Sequence, residues 1–160
     1  MTMSGESRPR VFLVIVDESP EMRAAFRYAA RRAHSTGGRV ALLHVIHPPE
    51  SQHWRAMEEL MRAEQREEAE QMLGPLSAQL KELTGSPPVV HIREGEPAAE
   101  ILAQIDEDPS ISVLVLAESF DPAGPGPLVS MLSNRLVGKL RVPLIIVPGG
   151  LSDAEIDRVS

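Results

Sequence analysis

The sequence predicts an α/β fold: one doubly wound parallel sheet of five strands with helices on both faces. Three observations carry the prediction. Four short apolar runs rich in β-branched residues, at 11–16 (VFLVIV), 40–46 (VALLHVI), 111–117 (ISVLVLA) and 142–147 (VPLIIV), suit strands buried on both faces. A fifth, shorter run lies at 89–93 (VVHIR), and segments with apolar residues at helical spacing separate all five. The resulting order alternates strictly between strand and helix, which requires parallel pairing through helical crossovers.

The elements follow in order. After the first strand, Ser19-Pro20-Glu21 reads as a helix start: Ser19 capping, Pro20 at the first helical position, Glu21 at the positive dipole end. Met22, Ala25, Phe26, Ala29, Ala30 and Ala33 form its apolar face, and Gly37-Gly38 stops it. Pro48-Pro49 ends the second strand. Residues 51–83 are helical, with a break or kink expected at Gly74-Pro75. Within them, the stripe Trp54, Met57, Leu60, Met61 is expected to pack on the sheet, a partner or dimer surface being the alternative. Residues 62–71 (RAEQREEAEQ) read as a solvated face with i,i+4 pairs such as Glu58–Arg62. A turn at 85–88 leads to the third strand, and Pro97, Ala98, Ile101, Leu102 and Ile105 give the third helix. A Gly/Pro loop at 119–127 follows the fourth strand. Leu128, Met131, Leu132, Leu136 and Leu140 then define a fourth helix before the fifth strand. In the tail, Ser152 and Glu155 fit a capping box. The organisation is a flexible N-terminus at 1–9, one domain at 10–150 and a tail at 151–160.

Composition narrows the function. The 160 residues carry no cysteine, which excludes disulfides, thiolate metal sites and a Cys nucleophile. A net charge of −7 gives no electrostatic reason to bind nucleic acid. No apolar run approaches the roughly 20 residues of a membrane span, and residues 1–10 lack the apolar core of a signal peptide. A cytoplasmic protein without membrane or nucleic-acid partners is expected. His44 and His47 fall on opposite faces if the strand continues through both, and His34, His53 and His91 are scattered, so no metal site is expected.

Open parallel sheets bind ligands beyond the carboxyl ends of their strands, where strand order reverses. The telling exits are Asp17-Glu18-Ser19 after the first strand and residues 118–127 (ESFDPAGPGP) after the fourth. Here the sequence resembles the universal stress protein family, on residues 14–19 (VIVDES), 41–46 (ALLHVI), 113–116 (VLVL) and 142–147 (VPLIIV), over about 12–148. The resemblance implies a Rossmann-like sheet in the order 3-2-1-4-5, homodimers through the last strand and, in many members, ATP or another adenine nucleotide. Asp17, with Val16 beside it, matches the family's aspartate after the first strand, and Val45 matches the position whose backbone holds adenine. The family's phosphate motif is G-x-x-G, nine residues, then G-[ST]. Its positions here hold Ala117, Phe120, Ser130 and Met131, so all three glycines are replaced; Ser133 matches a later hydroxyl. A shifted cradle of Gly124, Gly126, Ser130 and Ser133 is conceivable at the start of the fourth helix, although Pro125 and Pro127 donate no amide.

Two functions follow: a regulatory nucleotide-binding module, or a dimeric stress protein acting through protein contacts without nucleotide. Phosphoryl transfer needs a cationic clamp, and the loop after the fourth strand holds no Lys or Arg, so an enzyme is not expected. A phosphoacceptor receiver is excluded as well, because neither the acceptor Asp after the third strand nor the Lys after the fifth is present.

Overall fold

The computed structural model describes residues 8–48, 54–119, 121, 124, 126, 129–130 and 137–160. Five strands, β1 (Val11–Ile15), β2 (Arg39–Ile46), β3 (Val89–Glu94), β4 (Ile111–Glu118) and β5 (Leu144–Pro148), form one parallel sheet in the order β3-β2-β1-β4-β5. Helices α1 (Met22–Thr36), α2 (Arg55–Thr84), α3 (Pro97–Glu107) and α4 (Asp153–Val159) surround it.

Alternation along β1 divides the core in two. Phe12 and Val14 face one side with the alanines of α1, Leu73 and Leu80 of α2 and Ile156 of α4. Leu13 and Ile15 face the other with Ile101 and Ile105 of α3 and with Val129. The small Ala face of α1 lets this helix lie close to the sheet, and Gly37 ends it with a left-handed φ of 68°.

Several sequence expectations change. Ser19 does not cap α1, which starts at Met22; its hydroxyl donates instead to Asp17. The Gly74-Pro75 pair does not interrupt α2, a continuous helix of 30 residues. Gly74 has no Cβ to clash with the proline ring, and Leu73 and Leu80 are buried on either side of it. The Trp54 stripe does not pack on the sheet. Trp54, Met57 and Leu60 are 85%, 56% and 59% exposed, because the residues α2 buries, Ala69, Leu73 and Leu80, all lie further along it. Arg62 pairs not with Glu58 but with Glu94 of β3, at 3.0 Å. β5 begins at Leu144 because Pro143 has no N–H for the ladder; its carbonyl accepts from Leu114. Of the expected fourth helix, Val129 and Ser130 are helical, Val137–Lys139 forms a 3₁₀ turn and Leu140 lies beyond it outside any helix, while Leu128, Met131, Leu132 and Leu136 lie outside the described residues.

Candidate functional site

β1 is where the sheet switches direction: β2 and β3 lie on one side, β4 and β5 on the other. Beyond its end opens a cleft of about 770 Å³. One wall is Ile15, Val16, Asp17 and Glu18; a second is His44, Val45, His47 and Pro48; the start of α3 closes it with Gly95, Glu96 and Pro97. Both histidines line the cleft, contrary to the opposite-face expectation, because β2 ends at Ile46 and strand alternation stops before His47. Among the described residues no group of three or more His, Asp or Glu side chains could hold a metal ion.

The backbone of Val45 is aimed by parity. The Leu43 carbonyl accepts from Val16 of the β1 side, and the Ile46 carbonyl accepts from Gly95 on the β3 side. By alternation Val45 turns its N–H and C=O toward β1, which has already ended at Ile15. A donor and an acceptor on one residue therefore face the cleft. Across from it, Asp17 Oδ1 accepts from the Ser19 amide (3.0 Å) and hydroxyl (2.5 Å), which fixes the carboxylate as an Asx turn. The Val16 carbonyl is taken by His44 Nδ1 at 2.7 Å. A carbonyl only accepts, so Nδ1 carries a proton and donates it.

Carboxylates and His47 occupy the remaining polar positions. Glu96 caps α3 by accepting from the amides of Ala98 and Ala99. Glu21, at the start of α1, is only 7% exposed and makes no side-chain cap bond. It lines a small void with Asp17, Ala117 and Gly126, and this void shares Ile15 and Asp17 with the main cleft. A Cβ on Gly126 would lie 3.3 Å from Glu21 Oε1.

Of the residues singled out from sequence, Val16, Asp17 and Val45 meet in one cleft, and Gly126 stands on the adjoining void. Gly124 and Ser130 line neither. Their amides are engaged locally, Gly124 donating to the Asp121 carbonyl (3.1 Å) and Ser130 to that of Gly126 (3.0 Å). Ser133, Phe120 and Met131 lie outside the described residues. The sequence reading passed over Glu21, His44 and Glu96 as site residues. Glu96-Pro97 does carry a cap signal, whereas nothing local marks Glu21 as buried.

The sequence model of the universal stress protein family matches residues 9–148, most of the chain. The chain belongs to the universal stress protein family. No curated protein matches it significantly. Solved structures of the family share its fold. UspA from Lactobacillus plantarum superposes with a TM-score of 0.72 at 19% identity, over 88% of this chain and 99% of that one. The Archaeoglobus fulgidus universal stress protein in complex with dAMP has a TM-score of 0.59 at 18% identity, over 87% and 97%. A universal stress protein in complex with cAMP has a TM-score of 0.62 at 16% identity, over 90% and 100%. Among the described residues no helix is long and apolar enough to cross a membrane.

Proposed function

We propose that this family member is a cytoplasmic, non-enzymatic regulatory protein that binds an adenine-bearing ligand in the cleft beyond β1, and that it acts as a homodimer. The observation that carries the reading is the donor–acceptor pair of Val45 facing Asp17 across a cleft of about 770 Å³. The adenine amino group donates to the Val45 carbonyl, and a ring nitrogen accepts from the Val45 amide. Ile15, Val16 and Pro48 give the base its apolar contact, as ligand pockets generally do. The ribose hydroxyls donate to Asp17. Two structural relatives were solved with dAMP and cAMP, which supports an adenine ligand as the class. Residues 118–134 contain no Lys or Arg to clamp a transferring phosphoryl group, which favours binding over catalysis.

A second reading, action through protein contacts without nucleotide, is favoured by the exposed Trp54, Met57 and Leu60. Calorimetry on the full chain with adenosine, AMP and ATP separates the two. Saturable 1:1 heat from at least one of them is expected, weakened about tenfold by Asp17→Ala, the loss of a charged hydrogen-bond acceptor. No heat from any of the three at millimolar concentration hands the function to the protein-contact reading.

A further inference from the structure

We infer that the cleft selects an uncharged adenine nucleoside over its phosphorylated forms, because the chain's own carboxylates stand where phosphates would need donors. The inference rests on the adenine reading above and names the ligand class within it.

Phosphates at the carboxyl end of a parallel sheet are normally held by helix N-termini, glycine-loop amides or cations. Among the described residues, a glutamate stands at each helix start beside the cleft, Glu96 at α3 and Glu21 at α1. The first amides of α3, which closes the cleft, are bonded to the Glu96 carboxylate. The start of α1 has the buried Glu21 side chain beside it, acceptor oxygens where the positive helix end would otherwise meet an anion. That carboxylate lies against Gly126, a glycine at positive φ (96°) and thus a place where backbone could otherwise approach an anion. The neighbouring amides of Gly124 and Ser130 are engaged within the loop. No Lys or Arg lines the cleft among the described residues, and none occurs in the sequence between residues 118 and 134.

The acidic side chains that line the cleft are Asp17, Glu18 and Glu96; its basic ones are His44, whose Nδ1 is held by the Val16 carbonyl, and His47. A phosphate placed beyond Asp17 toward Gly126 meets Glu21 as well, in a void of about 10 Å³ that has room for a water and not for a phosphoryl group. Adenosine asks for none of this. Its base and ribose need only the apolar wall, the Val45 backbone and a carboxylate acceptor. The buried Glu21, which the fold does not use as a cap, presents acceptor oxygens where a phosphate would need donors and so sets specificity.

The test is a calorimetric series on the full chain with adenosine, AMP and Mg-ATP, repeated from about 20 to about 300 mM KCl. Adenosine is expected to bind at least tenfold more tightly than ATP. ATP affinity should rise with salt as repulsion is screened, while adenosine affinity stays flat. Glu21→Gln, with unchanged far-ultraviolet circular dichroism, should raise ATP affinity about five- to tenfold and leave adenosine alone. A purely structural Glu21 would not move that ratio. ATP binding as tightly as adenosine, or a ratio unmoved by both salt and Glu21→Gln, overturns the inference while leaving the adenine reading intact. Silence from all three ligands removes both.

Discussion

Glu21 is kept in place by a glycine far along the chain. Gly149, just past β5, donates its N–H to the Glu118 carbonyl at 2.9 Å, joining the ends of β5 and β4. A Cβ there would collide with that same carbonyl and with Cβ of Glu21. Gly149→Ala should therefore destabilise the fold by about 1–3 kcal/mol, the usual cost of forcing an extra methyl into packed structure. Gly138→Ala, whose added Cβ meets nothing within 4 Å, should stay within about 0.5 kcal/mol. Urea denaturation of the two variants measures both, and equal midpoints would refute the close-packing argument. This arrangement also explains why Asp17 and Val45 could be placed beside the cleft from the sequence and Glu21 could not. The first two stand at strand ends with recognisable neighbours. Glu21 looks like an ordinary first-turn acid, and its burial comes from Gly126 and Gly149, which no local pattern connects to it.

At the scale of elements, α4 was half legible. The Ser152/Glu155 capping box read from sequence is formed, with reciprocal bonds of 3.2 and 3.1 Å. Its docking was not legible, since a seven-residue helix has too little pattern to name its partner. The partner is α1: Arg27 binds Asp157 through two bonds of 2.8 Å, Arg23 binds Asp153 at 2.9 Å, and Ile156 is fully buried between them and the sheet. The hydrogen bond from Arg27 holds the Asp157 carboxyl below its ordinary range, and bonds from Ser152 do the same for Glu155. Arg93 likewise lowers Glu107 on α3. Depressed carboxyls contribute stability that is fully present above their unfolded values, near pH 4, and is lost as pH falls through the folded ones. The melting midpoint should thus be flat near neutrality and fall below about pH 4. Asp157→Asn should melt lower than wild type at pH 7 and approach it in acid. Parallel curves at all pH values would show that Asp157 does not anchor α4. The Trp54 stripe failed for the opposite reason to α4: its periodicity is strong, but how far α2 runs before it meets the sheet is a tertiary fact.

For the molecule as a whole, strand–helix alternation was enough to predict a parallel doubly wound sheet, and the resemblance supplied the order that the register confirms. Neither says how the two sheet edges behave, and here the sequence of each edge strand can be weighed directly. Edges are protected from pairing by charge. β3 has that protection: Arg93 bonds Glu100 at 2.6 Å and Glu94 pairs with Arg62 at 3.0 Å, so charged side chains border the strand on both neighbours. β5, Leu144–Pro148, has no charged residue, and Ile146 is 42% exposed. α4 folds back on α1 and places its ion pairs there. The unguarded strand is therefore the one through which the family resemblance implies dimers. Sedimentation velocity should give a dimer for the full chain. Ile146→Lys, which adds the missing edge charge, should shift it to monomer without changing the circular dichroism spectrum. A wild-type protein that stays monomeric from micromolar to hundreds of micromolar would mean that β5 is kept single by something other than charge, and the homodimer would have to be abandoned.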